Sequence, residues 1–195
     1  MLTPVLLNRF IDAVDCCPWG ASTGRRPGAP RRPALYTPDE RRRRDASPWT
    51  LVQGVLAPFQ FAVFLLSLAL VLRFLATGEG FGAATASVVA KTLVLYTIMV
   101  TGCVWEREVF GRWLFAPAFF WEDVFSILVL ALHTGYLAVV WLGIGDASGQ
   151  MLLALAAYAA YVVNAAQFLL KLRAARLEGG TARAGRGAVG PGLAA

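Results

Sequence analysis

The sequence predicts an all-α membrane protein of four transmembrane helices, with both termini cytoplasmic, a disordered basic N-terminal arm and a disordered C-terminal tail. Three observations predict it. The 195 residues are 57% hydrophobic and 15% charged, with a mean hydropathy of +0.59, whereas soluble domains run nearer roughly 45–50% apolar and about 25% charged. Four apolar runs reach or exceed the roughly 20 residues that a helix needs to cross a bilayer. The net charge of +6 also lies in the ends: residues 1–47 carry nine Arg against five acids, residues 171–195 carry five bases against one acid, and the middle holds four bases and six acids. Collagen, a disulfide scaffold, a wholly disordered chain and an ordinary cytosolic domain are poor fits to these values.

The arm, residues 1–47, is rich in Pro, Gly and Arg between Gly24 and Pro33 and cannot build a core. It does not read as a signal peptide, because Asn8, Arg9, Asp12 and Asp15 interrupt any apolar h-region. Four spans follow in the 48–177 domain: about Trp49 to Ala76, Ala83 to Trp105, Trp121 to Leu142 and Gly149 to Leu170. In lipid only a helix or a closed barrel satisfies the backbone, and these runs are not short alternating strands. Pro58 is expected to kink the first span. Residues 178–195 are a Gly/Ala/Arg-rich tail expected to be disordered. No internal repeat is visible.

Loop charge orients the spans. Arg41, Arg42, Arg43 and Arg44 precede the first, Arg107 and Arg112 lie between the second and third, and Lys171, Arg173 and Arg176 follow the fourth. The connections near Glu79 and Asp146 hold no Lys or Arg. The positive-inside rule therefore puts both ends and the 106–122 connection in the cytoplasm. Trp49, Trp105, Trp113, Trp121 and Trp141 fall at span ends, as an aromatic belt requires. The same rule accounts for the basic pI of about 9.7, so the expected partner is the lipid bilayer and not nucleic acid. Cys16 and Cys17 are adjacent and Cys103 sits in an apolar run, with no CxxC and no Cys/His metal spacing.

Each span owns a line of polar residues, which in lipid should face the interior. Gln53, Gln60 and Ser67 repeat every seven on the first. Thr92, Tyr96, Met99, Cys103 and Glu106 share a face of the second. Glu122, Ser126, His133 and Tyr136 recur on the third; the eleven residues from Glu122 to His133 leave them about 20° out of line. Tyr158, Tyr161, Asn164 and Gln167 step along the fourth. The carboxylates cluster: Glu106, Glu108, Glu122 and Asp123 bracket the connection from Val109 to Trp121. A short hairpin would bring Glu106 to Glu122. Paired carboxyl groups in a partly dry setting repel, so one of such a pair can keep its proton and serve as a general acid.

Each feature has a plainer reading. Glu122 and Asp123 can simply cap the third helix. Glu106, Arg107 and Glu108 can form a solvated cluster with Arg112. His133, the sole histidine, can be an interhelical hydrogen-bonding residue. Lys91 can snorkel to the interface. Asn164 and Gln167 can be interhelical glue.

Four stretches carry a resemblance: Tyr36 through Pro58, Lys91 through Glu106, Leu114 through Phe125, and Tyr161 through Lys171. Together they resemble the 3-vinyl (bacterio)chlorophyllide hydratase family of photosynthetic bacteria, over about Tyr36 to Leu177. The resemblance implies a hydro-lyase of bacteriochlorophyll synthesis. Such an enzyme adds water to the ring-A vinyl group of chlorophyllide a, or of its bacteriochlorophyllide relative, to give a 1-hydroxyethyl group. It implies a multi-pass protein of the bacterial inner, photosynthetic membrane, working beside other enzymes of the route. No cofactor is required, since the Mg belongs to the substrate.

On that reading Glu122 or Glu106 donates the proton, and Asp123 or His133 steers the water. His133 is alternatively an axial ligand to the substrate Mg. Arg107 or Arg112 pairs with the free propionate, and the aromatic loop from Trp113 to Trp121 covers the flat ring. Asn164 and Gln167 complete the substrate-binding set. Residues 1–34 have no counterpart in the family, which suggests that Leu35 is a TTG or CTG start codon. A non-catalytic pigment carrier or assembly protein, and a small transporter using Lys91 and the carboxylates, are the competing functions.

Overall fold

The computed structural model describes residues 35–187, with side chains described for 35–173. The described residues are helical, in the order α1 (Pro38–Ala46), α2 (Pro48–Thr77), α3 (Phe81–Phe110), α4 (Phe120–Trp141) and α5 (Ala147–Gly187). Tyr36–Ala165 forms one compact unit; the chain from Ala166 onward belongs to a second, described by itself. The expectations for residues 1–34, including Cys16 and Cys17, and for 188–195 lie outside the described residues.

Four of the helices are long and apolar enough to cross a membrane, over Pro48–Thr77, Phe81–Phe110, Phe120–Trp141 and Ala147–Arg173. They match the four expected spans, three of them longer and the third equal in length but shifted by one residue, and the protein is an all-α membrane protein. Their outward faces carry Leu51, Leu66, Val100, Leu152 and other large exposed apolar side chains, as a lipid-facing surface requires. α2 runs unbroken through Pro58.

Two expectations for the ends are corrected. Residues expected to belong to the disordered arm form α1. Thr37 accepts from the Glu40 N–H, the Glu40 carboxylate accepts from the Thr37 N–H at 2.7 Å, and Pro38 opens the helix. This is a capping box with proline where its missing N–H costs nothing. At the other end the backbone of α5 stays helical to Gly187, beyond the expected boundary at 177; Ala and Arg there are good helix formers.

Ser47 joins α1 to α2. Its N–H donates to the Arg43 carbonyl, its hydroxyl accepts from Trp49 N–H and donates to Glu108 of α3 at 2.6 Å. Tyr36, 4% exposed, stacks on Phe110 with centroids 5.8 Å apart. Burial pushes the Tyr36 phenol up, and the Arg44 guanidinium over its ring acts the other way.

The polar lines face inward. Gln60 and Ser67 on α2, Thr92 and Glu106 on α3, Glu122, Ser126, His133 and Tyr136 on α4, and Tyr158, Tyr161 and Asn164 on α5 are all buried. They share the interior with an apolar cluster that includes Phe64, Val71, Val88, Leu95, Val129 and Met151.

Candidate active site

Two polar centres occupy the Tyr36–Ala165 unit. The first lies at the loop between α3 and α4. α3 stops at Gly111, whose φ of 75° suits glycine, with its N–H on the Arg107 carbonyl. The loop then folds back so that two successive backbone N–H groups point at two carboxylates. Asp123 Oδ2 accepts from Phe115 N–H at 2.7 Å, and Glu106 Oε1 accepts from Ala116 N–H at 2.6 Å. Phe115 has a φ of 60° and is the one described non-glycine residue with positive φ. That conformation is disfavoured for a bulky side chain. The Asp123 contact holds the residue there. Phe119 N–H closes the turn onto the Ala116 carbonyl at 2.8 Å.

Glu106 and Asp123 are side by side, their carboxyl groups within hydrogen-bonding reach of each other. Both are buried, at 4% and 7% exposed, and Glu122, the residue before Asp123, is wholly buried. The sequence pairs Glu106 with Glu122; the structure puts Asp123 next to Glu106. The capping reading of this pair also needs amending. The α4 N-cap is Phe119, without a side-chain cap bond, and Asp123 grips the loop. Nor does a cluster with Arg112 form: Glu106 holds the loop backbone and Glu108 holds Ser47.

Aromatic rings surround this loop. Phe110, Phe119 and Trp105 meet edge to face at 5.7–5.8 Å. Arg107 lies over the Trp113 ring at 4.2 Å. Trp113, Arg107 and Arg112 are exposed, and Trp121 is half-buried against Phe120. These four residues thus sit around the acid centre rather than in it. Gln167 belongs to the other unit.

The second centre lies deeper. Lys91 and His133 are both wholly buried, with Nζ and Nε2 2.6 Å apart. His133 Nδ1 faces the Val129 carbonyl at 2.7 Å. A carbonyl only accepts, so Nδ1 carries the hydrogen and Nε2 accepts from Lys91. Lys91 Nζ also lies over the Tyr161 ring, 4.2 Å from its centroid. Tyr158 OH meets Ser67 Oγ at 2.5 Å, and Ser67 meets Ser87 at 2.7 Å. The snorkelling expected for Lys91 is overturned, because its ammonium turns inward to an imidazole and two phenol rings.

Eleven residues of α4 separate Glu122 from His133, roughly 16 Å at 1.5 Å per residue. The structure therefore brings Glu106 and Asp123 together, with Glu122 next to Asp123 in the chain, and leaves His133 apart. Both His133 ring nitrogens are engaged, and axial ligation of a metal would require the Lys91 contact to break. Between the centres, Asn164 Nδ2 donates to Ser126 Oγ at 2.9 Å. Among the described residues, no group of three or more His, Cys, Asp or Glu side chains is placed to hold a metal ion.

Sequence reasoning left out the two loop N–H groups and gave no partner to Lys91. No sequence signal marks a positive φ at Phe115. The polar line on the second span ran through Thr92, next to Lys91, and the intramembrane charge itself was the sign of an interior partner.

The fold defines an integral-membrane helical protein, and its similarity to known proteins gives its class, a hydro-lyase. The family model described as 2-vinyl bacteriochlorophyllide hydratase matches residues 36–174, and the chain belongs to that family. The 2-vinyl bacteriochlorophyllide hydratase of Rhodobacter capsulatus is 64% identical over 159 residues, which cover 82% of this chain and 92% of the relative. That of Cereibacter sphaeroides is 64% identical over 152 residues, covering 78% and 94%. The resemblance drawn from the sequence is thus borne out. No solved structure matches the chain.

Proposed function

We propose that the chain adds water to the vinyl group of chlorophyllide a, or of the corresponding vinyl bacteriochlorophyllide, to give the 1-hydroxyethyl product. The observation that carries the mechanism is the Glu106–Asp123 pair. A carboxylate can only accept, so two carboxyl groups joined by a hydrogen bond hold one proton between them. That proton goes to the terminal vinyl carbon: the π bond breaks, a C–H bond forms, and the cation beside the ring is delocalised into the macrocycle. Water then forms the C–O bond, and the oxonium returns a proton to a carboxylate. The acid is restored and one water is consumed.

Glu122, wholly buried one residue from Asp123, takes up the proton released by water and passes it to the Glu106–Asp123 pair, which restores the acid. The loop aromatics cover the flat ring by stacking, and Arg107 or Arg112 pairs with its propionate. The substrate brings its own Mg, and the protein supplies no redox group. Its place is the bacterial inner, photosynthetic membrane, as a multi-pass protein with both termini and the acid centre on the cytoplasmic side. Other bacteriochlorophyll-synthesis enzymes are its neighbours there.

Membranes containing the full chain, given chlorophyllide a, test the reading by absorption and mass of the pigment. Glu106→Gln and Glu122→Gln are expected to lose alcohol formation by about a hundredfold or more, the usual worth of a general acid or base. Pigment binding should remain. Unchanged turnover in either variant removes that residue from the mechanism.

A further inference from the structure

A reaction that consumes water inside a greasy bundle needs a place where water is held. Four layers of polar side chains run inward from the loop. Glu106, Asp123 and Glu122 form the outermost. Ser126 stands one turn further along α4 and accepts from Asn164 of α5. Lys91 and His133 form the third, with Tyr161 under the ammonium. Ser67, Ser87 and Tyr158 form the last. Gln60 of α2 belongs among them by packing. Phe64 and Tyr161 meet at 4.9 Å between centroids. One turn nearer the loop on each of these antiparallel helices stand Gln60 and Asn164, on the same faces as that pair.

Gln60 and Asn164 are 3% and 9% exposed. Gln60 Oε1 and Asn164 Oδ1 receive no hydrogen bond from any described residue. A buried amide oxygen away from lipid headgroups requires a donor. An acceptor pair selects a ligand with two hydrogens to give. The ring's vinyl group has none; water has two.

We infer that Gln60 and Asn164, next to Ser126, form the binding site for the water molecule that attacks the substrate. Both water hydrogens are accepted by the two amide oxygens, which leaves the oxygen lone pair directed at the cation. The three residues act by positioning. Once the C–O bond has formed, one O–H of the oxonium leaves its amide oxygen and gives its proton to the carboxylates one turn away, so the amides orient water but are not the base. The inference rests on the hydratase reading above.

The test separates the two steps in D2O. Protonation of the vinyl group gives a cation that either captures water or sheds a proton again. Shedding leaves deuterium on the terminal carbon of the recovered vinyl pigment. The full chain in membranes is assayed with chlorophyllide a, and mass spectrometry reads alcohol and deuterated vinyl pigment together. In Gln60→Leu and Asn164→Leu, the ratio of deuterated vinyl pigment to alcohol should rise about tenfold or more, matching a buried hydrogen bond lost. KM for the pigment should stay within about twofold. Gln60→Glu, which keeps an acceptor oxygen at that position, should restore the ratio. A parallel fall of exchange and hydration, or an unchanged ratio, in folded Gln60→Leu or Asn164→Leu overturns the water site and leaves the hydratase reading intact. A wild-type chain that forms neither alcohol nor deuterated vinyl pigment overturns both.

Discussion

Asp123, at the start of α4, holds the backbone N–H of Phe115, eight residues before it, at 2.7 Å. One contact thus ties a buried carboxylate to the one described non-glycine residue in the left-handed region. The neighbouring N–H, that of Ala116, is held by Glu106 of the preceding helix. The loop is fastened from both of the helices it connects.

Asp123→Ala should therefore free Phe115 and loosen the loop. Removing the acceptor leaves a partly buried N–H without its partner, worth about 1–3 kcal/mol. Thermal unfolding in detergent measures the loss. Limited proteolysis between residues 111 and 119 should speed up more than at any other loop.

Phe115→Gly probes the same place in the other direction. Glycine occupies positive φ freely, and the φ of 60° then carries no strain. Stability should hold or rise by up to about 1 kcal/mol, while the aromatic cover over the pigment is reduced and KM rises.

Lys91→Met should cost about 1–3 kcal/mol, since it strips the donor from His133 Nε2 in the interior. A snorkelling lysine would give no such loss. Double-mutant analysis with His133→Leu should show a coupling of about 0.5–3 kcal/mol. Additive effects would mean that the two side chains do not act on each other.

Ser47→Ala removes two interactions at one stroke, the cap on Trp49 N–H and the bond to Glu108, where α1 meets α2. The expected loss in thermal unfolding is about 1–2 kcal/mol, from the cap and one charge-assisted hydrogen bond. Ser47→Thr should keep most of it.

Topology is checked with single cysteines in a chain whose Cys16, Cys17 and Cys103 are replaced. A cysteine at Arg112 should react with a membrane-impermeant reagent only from the cytoplasmic side, and one at Gly145 only from the opposite side. The reverse pattern would move the acid centre to the outer face.

Much of this was readable in the sequence, because lipid leaves few options. Length and apolarity fix each span, and a polar residue in a span must face protein. Glu122, Ser126, His133 and Tyr136 turned inward together for that reason. The N-terminal signature of α1 was also present, as Thr37, Pro38 and Glu40 in sequence order, but the arginine-rich composition masked it. What periodicity could not yield is contact between helices. The Lys91–His133 and Glu106–Asp123 pairs depend on how far each helix is rotated about its axis and slid along its neighbour. A shift of one residue on α4 exchanges Glu122 for Asp123 as the partner of Glu106. The backbone of Phe115 was hidden too, since it is set by two distant acceptors and not by its own side chain.

The double role of Ser47 reaches beyond the first span. A helix that ends on the same residue that begins the next has no free linker in which to swing. Arg41, Arg42, Arg43 and Arg44 therefore ride on the first span as a rigid collar. Any force on this collar, such as attraction to anionic headgroups, would pass to α2 and, through the Ser47–Glu108 bond, to α3. Membranes of different surface charge should then seat the buried carboxylates at different depths, a difference that the depth of a fluorophore placed on the α3–α4 loop would read.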